Sequence, residues 1–221
     1  MIPVSVLVVA KAPVPGLAKT RLAAGVGHDA AADIAAAALL DTLDAVAGSP
    51  VAARVVALTG NLDDAKRSSE IRSRLADFIV VPQRGEDFAD RLANAHLDAA
   101  AVTGGLPVLQ IGMDTPQVSP ELIGRCAQSL ADHDAVLGMA RDGGWWVLGA
   151  TDAATADCLR GVPMSAPGTG AETLAALLHT GITVELLSEL ADVDTLDDVD
   201  VVRRACLPDS RFSRITAQVQ P

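Results

Sequence analysis

Apolar and polar positions along the chain fall into blocks that alternate between strand-like runs and helix-like periods. Residues 3–10 (PVSVLVVA) are a β-branched run with turn residues after it, which predicts a buried strand. A Pro/Gly/Lys-containing loop is expected over 11–27. Residues 29–47 carry a helical pattern ending at Gly48, where glycine suits a cap. A second strand is expected at 51–58, a charged amphipathic helix at 62–77 and a third strand at 78–82. A helix over 86–103 ends at the Gly104–Gly105 pair, and a fourth strand follows at 106–112. The next helix, 119–132, has Ser119 as cap and Pro120 at its first position.

This regular alternation predicts an α/β fold, with a mostly parallel central sheet covered on both faces. The second half is less regular. Strands are expected at 134–140 and 145–151, joined only by Arg141, Asp142, Gly143 and Gly144. So short a link holds no crossover helix, so this pair must be antiparallel. A short helix near 153–160, a loop over 161–170, a helix over 171–180 and a last strand at 182–187 follow. A closing helix runs from Leu196 to near Cys206, and the segment after Pro208 is expected to be loosely held. No repeat or linker interrupts the pattern, so residues 1–221 are expected to form one domain.

Composition narrows the function. The formal net charge of −11 opposes nonspecific binding to nucleic acid or to anionic membrane, since both need a positive field. With no Tyr, three Phe and two Trp, stacking platforms for single-stranded nucleic acid are nearly absent. The three cysteines, Cys126, Cys158 and Cys206, lack metal-knuckle spacing, and their odd number argues against a disulfide framework. The N-terminal apolar run is short and lacks a basic leader, and no later run is long enough to span a membrane. A cytoplasmic location without membrane insertion is therefore expected.

In open α/β sheets, ligands bind beyond the carboxyl ends of the strands, so the residues there are the candidates. The first strand is followed by AKAPVPGLAKTRLAAG, which holds two of the three lysines, Lys11 and Lys19, with Arg21 beside them. It reads either as a phosphate cradle or as a solvated basic loop. It is not a Walker A loop, because Ala18 precedes Lys19-Thr20. Asp114, in Gly112-Met113-Asp114-Thr115-Pro116, stands at the mouth of the fourth strand and is not a helix cap. It suits a hard cation completed by phosphate oxygens, or a turn that bonds its own backbone.

Asp142-Gly143-Gly144 places a carboxylate in a tight turn, where it can meet a ligand or simply close a hairpin. Trp145 and Trp146 must face opposite sides of the sheet, so at most one lines a given groove; core packing is the alternative for each. Thr195 and Asp198 read as a capping box, leaving Asp192 and Asp194 outside the helix as metal carboxylates or solvated acids. His28, His96, His133 and His179 share no pattern and read as surface or packed residues.

Taken together, AKAPVPGLAKTRLA, GMDTP, ARDGGWWVLG and DVDTLDDV resemble a bacterial family of largely uncharacterised proteins with the glycosyltransferase-A fold (domain-of-unknown-function family 2064). The resemblance runs from Val4 to Ala205. More distantly, the chain is similar to nucleotidyltransferases that guanylylate phospholactate, phosphoenolpyruvate or molybdopterin. The resemblance implies a three-layer nucleotide-diphospho-sugar transferase domain with one antiparallel strand in its sheet. It implies nucleotide binding through Lys11, Gly16, Lys19 and Arg21, with Gln83 and Gly85 near the base. It also implies Mg²⁺ or Mn²⁺ on Asp114 and Asp194, and an acceptor side lined by Asp142, Gly143, Gly144 and Trp145. Where the family often has Ser before the metal Asp and Cys after it, this chain has Met113 and Thr115.

The chemistry expected from that resemblance is transfer from a nucleotide-activated donor to a small-molecule acceptor. The divalent cation, Lys19 and Arg21 would neutralise a diphosphate leaving group, and Asp142 would orient or deprotonate an acceptor hydroxyl. A glycosyltransferase is the first reading. A nucleotidyltransferase acting on a phosphorylated acceptor and a non-catalytic nucleotide-binding protein are its rivals.

Overall fold

The fold is described from a computed structural model, and the structure describes residues 1–217 and 219. The first strand, β1 (Ile2–Lys11), is buried along nearly its whole length. Its alternate residues feed two apolar layers. Val4, Val6, Val8 and Ala10 face one, Leu7 and Val9 the other, as the two-residue period of a strand buried on both faces requires. Around it are β2 (Val51–Thr59), β3 (Ile79–Pro82), β4 (Val108–Gly112), β5 (Ala135–Ala140), β6 (Trp145–Ala150) and β7 (Val184–Leu190), in the order β3-β2-β1-β4-β6-β5-β7. All pairings are parallel except those of β6, which runs antiparallel to both β4 and β5. The expected mostly parallel sheet with one antiparallel strand is the sheet observed.

One apolar layer is closed by α2 (His28–Gly48), α3 (Ser68–Leu75) and α5 (Pro120–Asp132). The other is closed by α4 (Phe88–Val102), a 3-10 helix (Ala153–Gly161) and α6 (Thr169–His179). The capping reading of α5 holds, since the Ser119 hydroxyl accepts from the Leu122 N–H at 3.2 Å. A third cluster joins α1 (Thr20–Val26), α2, α7 (Leu196–Ala205) and α8 (Arg211–Thr216) around Leu22, Ile34, Val202 and Phe212.

Several elements differ from the sequence expectation. The loop assigned to 11–27 contains α1, which starts directly after Lys19 in the left-handed region (φ 47°). The helix expected over 62–77 is a 3-10 turn (Leu62–Asp64) followed by α3, and Arg67 at φ 53° interrupts the helical path between them. The short helix near 153–160 is 3-10 rather than α. Gly48 is the last residue of α2, not its left-handed cap. A Cβ there would lie 3.1 Å from Pro120 Cγ, so the glycine lets α2 approach α5. β7 runs three residues beyond the expected 187, which carries the chain to the sheet edge just before Ala191. Of the segment after Pro208, residues 218, 220 and 221 lie outside the described residues; residues 211–216 are not loose, because Phe212 is fully buried and Arg211 pairs with Asp41 (3.2 Å) and Asp44 (2.6 Å) on α2.

Candidate functional site

The carboxyl ends of β1, β4, β5 and β7, and the amino end of antiparallel β6, meet at one edge of the sheet. The loop after β1 begins with a tight turn in which the Leu17 and Ala18 N–H groups donate to the Val14 carbonyl (3.0 and 3.1 Å). Lys11 braces this loop through its Nζ, which donates to the Leu17 carbonyl at 2.7 Å. Gly16 has a positive φ of 79°, with open space where a Cβ would stand. The left-handed turn at Lys19 sends its side chain inward, to 13% exposure. Its ammonium lies 2.6 Å from Asp114 Oδ2 and 3.8 Å from Asp194 Oδ1. Arg21, at the surface, donates to Asp194 Oδ2 at 2.7 Å.

The two carboxylates are held by local architecture. Asp114 folds back over Gly112, where a Cβ would sit 2.8 Å from Asp114 Oδ1. The Val193 N–H donates to the Asp114 carbonyl at 3.2 Å, tying the segment before α7 to the segment after β4. Asp198 closes the predicted capping box with Thr195 and also accepts from the Asp194 N–H at 3.1 Å.

Burial works against the Lys19 ammonium, but Asp114, Asp194 and Asp192 outweigh it and hold its pKa above the ordinary lysine value. Asp192 is pushed up to about 6, first by burial and then by Asp114 and Asp142, with Lys19 opposing. Asp192 thus joins the constellation. The sequence placed it outside the helix but did not set it apart from Asp194, and only the approach of the three segments does so.

The Asp-Gly-Gly turn sits at the same edge. Asp142 Oδ1 accepts from the Gly144 N–H at 2.8 Å. Gly143 (φ 92°) accepts from the Gly170 N–H at 2.8 Å, and a Cβ on it would run into the Pro167 carbonyl. Its freedom is used to dock the turn on Pro167 and the start of α6. Trp145 and Trp146 do face opposite sides. Trp145 is half-buried against the α4 layer, whereas Trp146 is buried in the other layer and donates to the Ser188 carbonyl at 2.9 Å. Gln83 donates from Nε2 to the Ala10 (2.8 Å) and Ala57 (2.9 Å) carbonyls, closing the ends of β1 and β2. Gly85 (φ 137°) lets the chain pass α4, where a Cβ would sit 2.7 Å from Asp90 Cβ.

The structure therefore brings together Lys19, Arg21, Asp114 and Asp194, with Asp142 near enough to act electrostatically on Arg21 and Asp192. Lys11, Gln83 and Gly85 lie at the same edge, in bonds or packing that shape the loops. Among the described residues no three His, Cys, Asp or Glu side chains are arranged as a complete metal cage. Asp114 and Asp194 instead offer a hard, oxygen-only pair already converging on one positive charge. That donor set fits Mg²⁺ or Mn²⁺ held by one or two carboxylates and completed by phosphate oxygens.

A family model described as "Uncharacterized protein conserved in bacteria (DUF2064)" matches residues 42–166. The chain belongs to this family. The matched span includes Asp114 and the Asp-Gly-Gly turn. No curated protein matches the chain in sequence.

Among solved structures, this DUF2064 member is similar to a Desulfovibrio desulfuricans G20 protein provisionally assigned as a nucleotide-diphospho-sugar transferase. The two share 26% identity with a TM-score of 0.85, over 99% of this chain and 95% of the other. Rv0371c from Mycobacterium tuberculosis H37Rv, in complex with manganese, matches at 19% identity and TM-score 0.53, over 90% and 97% of the two chains. CMP:2-keto-3-deoxy-manno-octonic acid synthetase, complexed with CTP, matches at 15% and 0.53, over 91% and 97%. The chain has the fold shared by nucleotide-diphospho-sugar transferases and nucleotidyltransferases. No helix among the described residues is long and apolar enough to cross a membrane.

Proposed function

We propose that this protein is a metal-dependent transferase that moves a sugar from a nucleotide-activated donor to a small-molecule hydroxyl. The observation that carries the reading is the buried Lys19 ammonium shared by Asp114 and Asp194 at the carboxyl edge of the sheet. A bound Mg²⁺ or Mn²⁺ would be held by Asp114 and Asp194 and would neutralise charge on the donor diphosphate. Lys19 and Arg21 add fixed positive charge beside that diphosphate, in a protein whose net charge otherwise opposes it. The turn after Val14 and the open backbone at Gly16 suit close approach by phosphate. Asp142 keeps one oxygen on the Gly144 N–H, which fixes its carboxylate for a hydroxyl presented at the turn. Its role is to orient that hydroxyl and take its proton as the sugar transfers.

The test is product analysis with nucleotide sugars and nucleoside triphosphates in the presence of Mn²⁺. Release of nucleoside diphosphate from a nucleotide sugar is expected. Asp142→Asn should lower turnover by roughly 10²–10⁴-fold, the usual contribution of a positioned base, with little change in donor affinity. Transfer of a nucleotidyl group from a triphosphate to a phosphorylated acceptor with release of pyrophosphate, undiminished in Asp142→Asn, would make the protein a nucleotidyltransferase instead.

A further inference from the structure

A cavity of about 440 Å³ opens between the first turn of α4 and the segment Arg160–Ser165. Its volume is in the range of pockets that hold small molecules. None of the residues singled out in the sequence lines it. One wall is Asp87 and Phe88, and the other includes Val162, Met164 and Ser165. Phe88 is 41% exposed, and the Arg91 guanidinium stands 5.7 Å from its ring centroid. In a chain with five aromatic residues, an exposed ring at a cavity wall is unusual; of the other two Phe, Phe212 is fully buried and Phe78 packs against the core.

The cavity is preformed. Arg160 ties the 3-10 helix to α4, donating to Asp90 Oδ1 at 2.7 Å and Asn94 Oδ1 at 2.8 Å. The far wall is pinned by the Thr169 hydroxyl, which donates to the Pro163 carbonyl at 2.7 Å. That wall continues directly into Pro167 and Gly170, on which the Asp-Gly-Gly turn is seated. Beyond that turn, Trp145 packs against the same apolar layer as Met164.

We propose that this cavity is the acceptor subsite and that it takes an uncharged, hydroxyl-bearing compound with a ring or other apolar body. The proposal rests on the glycosyl-transfer reading and specifies its acceptor. Charge decides against an anionic ligand. Among the described residues, the one cation lining the wall is Arg160, whose three nitrogens each donate to a partner, Asp157, Asp90 and Asn94, so that two carboxylates offset its charge. Asp87 spends an oxygen capping α4 and leaves its negative charge at the rim. Among the described residues, a phosphate on the wall would meet an Arg160 already paired with carboxylates and a repelling Asp87, and the neighbouring Arg91 lies over the Phe88 ring. An apolar ring would find Phe88, Pro163 and Met164, whose surface it removes from water, and aromatic faces favour such contacts.

Phenyl β-glucoside and phenyl phosphate serve as probes, with affinities from ligand-observed NMR titration of the full chain. The glucoside is expected to bind at least about tenfold more tightly than the phosphate. Phe88→Ala and Met164→Ala should each weaken it by about tenfold, as loss of apolar contact predicts. Phe88 is exposed, so its removal spares the core. Failure of the glucoside to bind, tighter binding of the phosphate, or unchanged affinity in both variants would overturn the proposal. The donor reading is scored separately, by Mn²⁺-dependent binding of nucleoside diphosphates. Loss of the glucoside alone condemns the acceptor subsite, and loss of the nucleotides alone condemns the donor site.

Discussion

His96 is fully buried on α4, and neither ring nitrogen has a hydrogen-bond partner among the described residues. Ser5 Oγ and Gln110 Oε1 are also unpaired, and their strands turn them to the layer that α4 covers. Burial lowers the His96 pKa to about 4. Above pH 6.5 the ring is neutral in both folded and unfolded chains. As pH falls from 6.5 toward 4 the unfolded chain takes the proton and the folded chain does not, so stability is lost through that window. Asp192, raised to about 6, works the other way, because its folded form binds protons first. A comparison with His96→Leu isolates the histidine. Between pH 7 and pH 5 the wild type should lose about 2 kcal/mol more than the variant in urea unfolding. Parallel pH curves would contradict a buried neutral ring. The sequence left His96 as surface or packed, and packing against the sheet is what decides it.

At the scale of elements, the Asp-Gly-Gly turn depends on what it leans against. Gly143 and Gly104 both hold positive φ, 92° and 73°, but only Gly143 faces another segment. Gly104→Ala should cost about 1 kcal/mol of backbone strain. Gly143→Ala adds collision with the Pro167 carbonyl and should cost about 2–4 kcal/mol, read from unfolding midpoints. Equal losses would mean that the turn is not clamped by the segment at Pro167. The strands, the helices that pack directly on the sheet, and α7 were mostly legible because period and capping chemistry are local, as at Ser119-Pro120 and Thr195-Asp198. The antiparallel β6 followed from a link too short for a crossover. What was not legible depends on contacts between distant segments. α1 has seven residues and a left-handed Lys19 in place of a capping side chain, and it packs on α2 and α7. α8 is shorter still, and is fixed by Phe212 in the third cluster and by Arg211 on α2. Extended Ala65 and left-handed Arg67 interrupt an otherwise continuous helical pattern, and Arg67 is tied to Asp33 on α2 at 2.6 Å.

Across the whole molecule, the sheet order brings the loop after β1, the segment after β4, the β5–β6 turn and the segment after β7 to one edge. Lys19 and Arg21 of the first segment thereby meet Asp114 and Asp194, which are far apart in the chain. The members of that constellation could be proposed from strand ends. Lys19 as the shared cation and Asp192 as a raised carboxylate could not, since both are products of tertiary approach. On the proposed reading, this cluster and a divalent cation offset the field of a protein of net charge −11 where the diphosphate binds. The most direct test is calorimetric titration of UDP, GDP and CDP into the wild type and Asp114→Asn, each with Mn²⁺ and with chelator. At least one diphosphate should bind the wild type only with Mn²⁺, and Asp114→Asn should weaken it by about tenfold or more while retaining its fold, since a metal-held carboxylate acts through its charge. Unchanged Mn²⁺-dependent affinity in Asp114→Asn would contradict the assignment of this edge as the donor site.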